Sequence, residues 1–269
     1  MRYLFINGSA HKGNTWKLVE IVQSYMREKD ATVVFEEIHL YEKNLAFCCG
    51  CSNCFRIGNH KCPHFKSIEP IVQAMEQADG IIFASTTYNM RETAILKNLF
   101  DHFCFYIHRP HFFTSKALIL TTTGGVGGKA AAKSIAGLLK SIGFNRCYKF
   151  NVNAYSWNDY RPNLHTQKSL HQVTKKFILD VESKQLHSCE CGLLIPYNLF
   201  RGMSLAYIKG TEYETQDGVY WTEDNRQKCL YDSRIKVPFY QKPIGHIFYL
   251  MGKYMGRKIT ITYKKIKIE

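Results

Sequence analysis

The feature that most constrains the fold of this 269-residue chain is the alternation of strand-like and helix-like segments along residues 1–183. Residues 3–7 form a short apolar run ending at Gly8, and residues 15–27 carry helical spacing through Leu18, Ile21, Val22 and Tyr25. Residues 32–38 are rich in β-branched side chains, 68–78 are helix-like, and 80–84 (Gly-Ile-Ile-Phe-Ala) read as a buried strand. A helix over 93–107, a strand over 117–122, a helix over 129–142, a strand over 147–154 and a helix over 165–182 complete the series. Five such repeats predict an α/β fold, a doubly wound five-stranded parallel sheet covered on both faces. Ligands of such folds bind beyond the carboxyl ends of the strands, where strand order reverses. After residue 184 the alternation stops. Residues 193–208 read as a helix, 212–232 as a polar and aromatic loop, and 243–258 as a helix broken by glycines. Residues 258–268 alternate at period two, like a terminal strand. The predicted division is a sheet domain over 1–183 and a basic C-terminal extension over 184–269.

Composition narrows the class. With 45% hydrophobic and 22% charged residues, collagen-like and disordered readings are excluded. No eighteen consecutive apolar residues occur and no secretory signal is recognised at the N-terminus, so a cytoplasmic protein is expected. Net charge is +14, and residues 226–269 hold eleven basic residues against two acidic ones. Such a tail is either a solvated basic face or a contact for an anionic partner, whether lipid headgroups, an acidic protein or nucleic acid. No RNA-reading motif is present, and nucleic acid is not the expected partner. In the extension, Ile244, Ile247, Phe248, Met251 and Met255 fall at helical spacing beside Lys253, Arg257 and Lys258. This stripe is expected to pack on a domain or subunit, with peripheral membrane contact as the alternative.

Three strand-end loops carry the chemistry. Asn7-Gly8-Ser9-Ala10-His11-Lys12-Gly13-Asn14-Thr15 runs into a helix, where small residues, hydroxyls, a lysine and the helix dipole suit a phosphate monoester. Ala84-Ser85-Thr86-Thr87-Tyr88-Asn89-Met90-Arg91-Glu92-Thr93 offers donors for a polar ring and a polyol. Thr121-Thr122-Thr123-Gly124-Gly125-Val126-Gly127-Gly128-Lys129 lets backbone N–H groups approach a flat ligand. Singly, each could be an ordinary cap or turn. Their succession at the strand ends of one sheet marks a site.

Gly-Ser-x-x-Lys-Gly-Asn-Thr after strand one, Tyr88 with Leu-Lys-Asn-Leu-Phe-Asp after strand three, and the Thr-Gly-Gly turn after strand four resemble the flavodoxin-like NAD(P)H-dependent FMN reductases. Within that superfamily the nearest likeness is to the iron–sulfur flavoproteins. The resemblance covers residues 1–183 and implies a flavodoxin-like fold and an FMN-dependent NAD(P)H oxidoreductase. Hydride would pass from a nicotinamide nucleotide to FMN, and electrons onward to a quinone, flavin, metal or protein acceptor. It further implies that Ser9, Lys12, Gly13, Asn14 and Thr15 hold the FMN phosphate. Thr87, Tyr88, Asn89 and Met90 would line the ribityl chain and one ring edge, and Thr123, Gly124, Gly125 and Gly128 the pyrimidine side. No protein side chain need be a catalytic acid or base, and a homodimer or homotetramer is implied. The sequence departs from the family where Ala10 and His11 replace Pro and Arg, and where Thr86 replaces Pro.

Five of the ten cysteines lie between Cys48 and Cys62. The spacing Cys48-x2-Cys51-x2-Cys54-x7-Cys62 suits a [4Fe-4S] cluster, and the resemblance to iron–sulfur flavoproteins points the same way. The alternative function is then an electron carrier reduced by a ferredoxin-like partner. Zinc held by four thiolates, redox-active thiols, or thiols that are merely small apolar side chains remain open on the spacing alone.

Overall fold

The computed structural model describes residues 1–211 and 213–258. The terminal strand expected up to residue 268 lies, from 259 onward, outside the described residues. β1 (Arg2–Asn7) leads to α1 (Asn14–Lys29), β2 (Val34–His39), the short α2 (Asn53–Arg56) and α3 (Phe65–Gln77). β3 (Gly80–Thr86) is followed by α4 (Ala94–His102) and α5 (Cys104–His108), β4 (Lys116–Thr123) by α6 (Gly128–Ser141), and β5 (Arg146–Asn153) by α7 (Leu164–Ser183). Then come α8 (Cys191–Met203), α9 (Gln216–Thr222) and α10 (Lys242–Lys258). The chain divides into two compact units. One comprises Met1–Cys49, Pro63–Cys104 and His111–Leu186; the other comprises Gly50–Cys62, Phe105–Pro110 and the described part of His187–Glu269.

In the first unit the five strands pair in parallel, in the order β2-β1-β3-β4-β5. This is the flavodoxin-like order, whose reversal lies between β1 and β3. The central strands β3 and β4 are buried almost throughout, which is why they read as unbroken apolar runs. Alternate residues serve the two faces. Tyr3, Phe5, Ile82, Ala84, Leu118 and Leu120 pack against Leu18, Val22 and Met26 of α1 and Leu170, Phe177 and Val181 of α7. On β3 the neighbour Phe83 meets Phe100 of α4 and Phe144, with ring centroids 6.0 and 6.2 Å apart. At the amino end of β4 a buried ion pair ties the sheet to α7: Lys116 Nζ lies 2.8 Å from Asp180 Oδ1, with both side chains under one tenth exposed. The Tyr148 hydroxyl donates to Asp180 Oδ2 at 3.0 Å. Burial, reinforced by that carboxylate, pushes the phenol up to about 12.

The second unit is built on aromatic packing. Trp221 of α9 is fully buried and donates its indole N–H to the His108 carbonyl at 3.0 Å. Tyr197 packs edge-on against it at 4.8 Å, and His108 stacks on Phe200 at 4.0 Å. Asp217 pairs with His108 at 2.8 Å and Arg109 at 3.3 Å, and Arg109 donates to the Cys54 carbonyl at 2.6 Å.

Three sequence expectations are corrected. The helix over 93–107 is two helices, α4 and α5, separated at Phe103, and the chain passes from the first unit to the second just after, between Cys104 and Phe105. The expected loop over 212–232 contains α9, started by the Thr215 side chain accepting from the Gly218 N–H and held by the burial of Trp221. Its short length and polar neighbours hid the periodicity. The expected break in the last helix is absent: α10 runs continuously from Lys242 to Lys258. Its glycines permit close packing. A Cβ built on Gly252 would sit 2.3 Å from the Leu199 carbonyl oxygen, and one on Gly202 of α8 2.3 Å from that of Tyr249. Tertiary contact outweighs the low helix propensity of glycine.

Candidate functional site

The carboxyl ends of β1, β3, β4 and β5 lie along one edge of the first unit, and the loops that leave them meet there. Ser9, Gly13, Asn14, Thr15 and Tyr88 of the sequence-derived set line a single pocket, together with His11, Thr86, Thr122, Trp157 and Asn158. No acidic side chain lines it, and none stands in the first turn of α1. The helix dipole therefore favours an anion here without an opposing carboxylate.

The first loop is held by close packing. A Cβ on Gly8 would fall 2.7 Å from Leu96 Cβ, so only glycine lets the loop lie against α4. The Thr93 hydroxyl, which caps α4, also donates to the Gly8 carbonyl. The Ser9 hydroxyl accepts from the Thr86 N–H at 3.1 Å, joining the β1 and β3 loops, and Thr15 Oγ1 meets Thr122 Oγ1 at 2.5 Å, joining β1 to β4. Lys12 stands apart. Its ammonium lies 3.4 Å from Glu37 and 4.9 Å from the Trp16 ring centroid, and it is not among the pocket-lining residues. Burial alone would raise the Glu37 carboxyl, but hydrogen bonds from Gln23 and His39 and the Lys12 charge hold it below the usual range. His11, where the resembled family carries arginine, lines the pocket in its place.

In the second loop, Tyr88 and Arg91 exchange backbone hydrogen bonds of 3.0 and 2.9 Å across Asn89 and Met90, both left-handed (φ 49° and 64°). A methionine held there is strained. Thr87 donates its N–H to the Thr122 carbonyl at 2.8 Å, while its buried Oγ1 has no partner among the described residues. In the third loop, Gly127 is left-handed (φ 92°), and a Cβ on it would lie 2.7 Å from Met90 Cα. The second and third loops therefore touch. The Thr123 hydroxyl donates to the Val126 carbonyl at 2.6 Å, and Gly128 is buried against Thr123 and Asn151. A Cβ on Gly124 or Gly125 would meet nothing within 4 Å, so the backbone there faces open space.

A fourth loop, after β5, escaped the sequence reading. Asn14 Nδ2 donates to the carbonyls of Ser156 and Trp157 at 2.9 and 3.1 Å, and its Oδ1 accepts from the Tyr160 N–H at 3.0 Å. Lys17 donates to the Asn158 carbonyl at 2.9 Å. Asn14 thus positions this loop over the start of α1, and Trp157 and Asn158 join the pocket. Residues 154–160 carry no glycine signature. The available signal was positional, since the end of a strand beside β4 must lie near the same edge, and two exposed aromatics, Tyr155 and Trp157, sit in that loop.

Glu92 links the second loop to α6. Burial pushes its carboxyl up, but the Arg91 guanidinium, its own backbone N–H and the Ser134 hydroxyl outweigh that and lower it. A carboxyl below its unfolded value of about 4.3 stabilises the fold fully above that pH, and the contribution disappears as pH falls through the lower folded value. Glu92→Gln should therefore weaken the wild-type protein at neutral pH and flatten its stability loss between roughly pH 5 and 3, read by urea denaturation across that range.

The cysteine segment is placed differently. Among the described residues, no three His, Cys, Asp or Glu side chains form a group that could hold a metal ion. Cys48 and Cys51 are exposed, and Cys54 and Cys62 are half-buried. Cys189 is buried, and burial, then the neighbouring Glu190 and Cys191, pushes its thiol up to about 12. Maleimide at mildly alkaline pH should label Cys48, Cys49, Cys51 and Cys191 in the native protein and spare Cys189 until denaturant is added, read by peptide mass mapping.

The sequence model of the NADPH-dependent FMN reductases matches residues 1–147. The chain belongs to this family. It is an FMN-containing oxidoreductase with NAD(P)H as co-substrate. An iron–sulfur flavoprotein of Clostridioides difficile (strain 630) is 26% identical over 182 residues, covering 67% of this chain and 79% of that protein. One of Methanocaldococcus jannaschii is 36% identical over 102 residues, covering 38% of this chain and 51% of that protein. The chain thus spans about half the length of several curated relatives it matches. The FMN-dependent NADH-azoreductase of Bacillus anthracis (strain Ames Ancestor), solved with FMN, superposes with a TM-score of 0.50 at 12% identity, covering 65% of this chain and 99% of that structure. This likeness is one of fold. The residues of the strand-end loops fit FMN: an acid-free helix start for its phosphate, a buried hydroxyl on Thr87 without a partner among the described residues, and open glycine backbone.

Proposed function

We propose that this FMN reductase-family member holds the FMN phosphate at Ser9, His11, Gly13 and Thr15. The buried Thr87 hydroxyl, Tyr88, Asn89 and Met90 meet the ribityl chain and one ring edge, and Thr123, Gly124, Gly125 and Gly128 border the pyrimidine side. Lys12 adds positive potential from its place beside Glu37. When bound, FMN supplies hydride acceptance from the nicotinamide and onward electron delivery. The protein's part is to anchor the phosphate, fix the ring between two touching loops and present one ring face. The observation that carries the choice of acceptor is the rim. Tyr88, Met90, Val126, Tyr155 and Trp157 are all more than half exposed, and they lie on three of the four loops of the site. An apolar rim around a polar pocket suits a planar, largely apolar acceptor such as a quinone or a free flavin. It also suits completion of the site by a second copy in a homodimer or homotetramer, and a cytoplasmic location agrees with that enzymology. Anaerobic NADH or NADPH should bleach the FMN-loaded protein, and a soluble quinone should restore the colour within one mixing time. Flavin that stays oxidised with both nucleotides refutes the reading.

The spacing of Cys48, Cys51, Cys54 and Cys62, and the names of the curated relatives, favour a second reading as an iron–sulfur electron carrier. Stoichiometric iron and sulfide after anaerobic purification, without nicotinamide activity, would select it over the reductase.

A further inference from the structure

We propose that α10 is a surface-docking helix that lies on an anionic lipid bilayer, with its glycine face turned into the second unit and its apolar face turned outward. At about 100° per residue, Gly245, Gly252 and Gly256 fall on one line of the helix, and they are its buried residues. Opposite them run Ile247, Leu250, Met251 and Tyr254, which are 55%, 62%, 46% and 59% exposed. This inverts the usual arrangement, in which a helix buries its large apolar side chains and shows its small or polar ones. Phe239 and Tyr240, just ahead of the helix, are also exposed, at 81% and 67%.

Charge selects the occupant. Residues 233–258 contain six Lys and Arg and no Asp or Glu, and the chain continues with Lys264, Lys265 and Lys267 against Glu269. Arg257 and Lys258 are exposed on or beside the apolar stripe. Two copies of the chain apposed through this face would set like charges against each other. A bilayer bearing anionic headgroups accepts both features at once, apolar side chains at the acyl boundary and cations at the phosphates. Tyrosines at the rim of such a stripe suit the headgroup level. The helix lies on the surface and does not span it: no helix among the described residues is long and apolar enough to cross a membrane.

The test uses the full-length, FMN-loaded protein and cosedimentation with vesicles of phosphatidylcholine alone or mixed with phosphatidylglycerol. The expected result is capture by the mixed vesicles, little by the neutral ones, and release at high salt. Ile247→Glu with Tyr254→Glu should weaken capture at least roughly tenfold. Arg257→Glu and Lys258→Glu, surface changes that leave the apolar stripe intact, should each weaken it by roughly tenfold. The visible flavin spectrum should be unchanged in all of them, and should Ile247→Glu fail to fold, the charge variants decide. Equal capture by neutral and anionic vesicles, or none by either, overturns the proposal. So does conversion of a lipid-free dimer to monomer by the stripe variants, which would assign the face to a second copy.

Discussion

Asp180→Asn is expected to lower the stability of the first unit by about 3–5 kcal/mol, the usual consequence of stranding a buried charge. Lys116 and Asp180 meet at 2.8 Å with both side chains almost fully buried, and the Lys116 ammonium also donates to the Asp180 carbonyl. Asparagine keeps the shape and the hydrogen bond from Tyr148 but removes the carboxylate charge that Lys116 pairs with. The measurement is a urea midpoint followed by flavin release. Combining the change with Lys116→Met removes the stranded charge and should recover more than half of the loss. Because the pair lies at the amino end of β4, the FMN affinity of the folded variant should be unchanged. A loss below about 1 kcal/mol would mean the pair is solvated and behaves as a surface bridge.

The second large effect concerns the site itself. Gly127→Val should weaken FMN binding roughly ten- to a hundredfold, corresponding to the strain of a β-branched residue held at positive φ. Gly127 has φ 92°, and its missing Cβ leaves room for the Met90 backbone at 2.7 Å. Valine forces the second and third loops apart while the strands beneath keep their pairing. Fluorescence titration of the apo-protein with FMN reads the change. Gly137→Ala is the control, since Gly137 lies in α6 with open space around its Cβ position. It should raise stability by up to about 1 kcal/mol and leave FMN affinity alone. Equal affinities for Gly127→Val and wild type would separate the two loops from the flavin.

The parallel sheet was legible because β3 and β4 are apolar on both faces and the helices between strands keep clear spacing. Three of the four loops that meet at the strand ends were legible as a candidate site because glycine, serine and threonine, the small residues a phosphate or a flat ring demands, stand out there. The fourth was not, since residues 155–160 contribute mainly backbone carbonyls and N–H groups, which any residue supplies. Lys12 illustrates a different limit. Its type suits an anion site, and its ammonium lies 3.4 Å from Glu37 and off the pocket lining, which spacing alone does not show. In the second unit, α9 is a short helix stabilised by one buried tryptophan, and α10 hides its packing face in glycines. Hydrophobic periodicity marked the large side chains of α10 as the buried ones, and the reverse is true within this chain. Close backbone approach leaves no apolar signal to read.

The central claim, that the loops leaving β1, β3, β4 and β5 form one FMN site anchored on the phosphate, is tested most directly by titrating the full-length apo-protein with FMN and with riboflavin. The prediction is one FMN per chain, bound at least roughly a hundredfold more tightly than riboflavin because the α1 N-terminus and its hydroxyls receive the phosphate. Equal affinity for the two flavins, or no saturable binding of FMN, would contradict it.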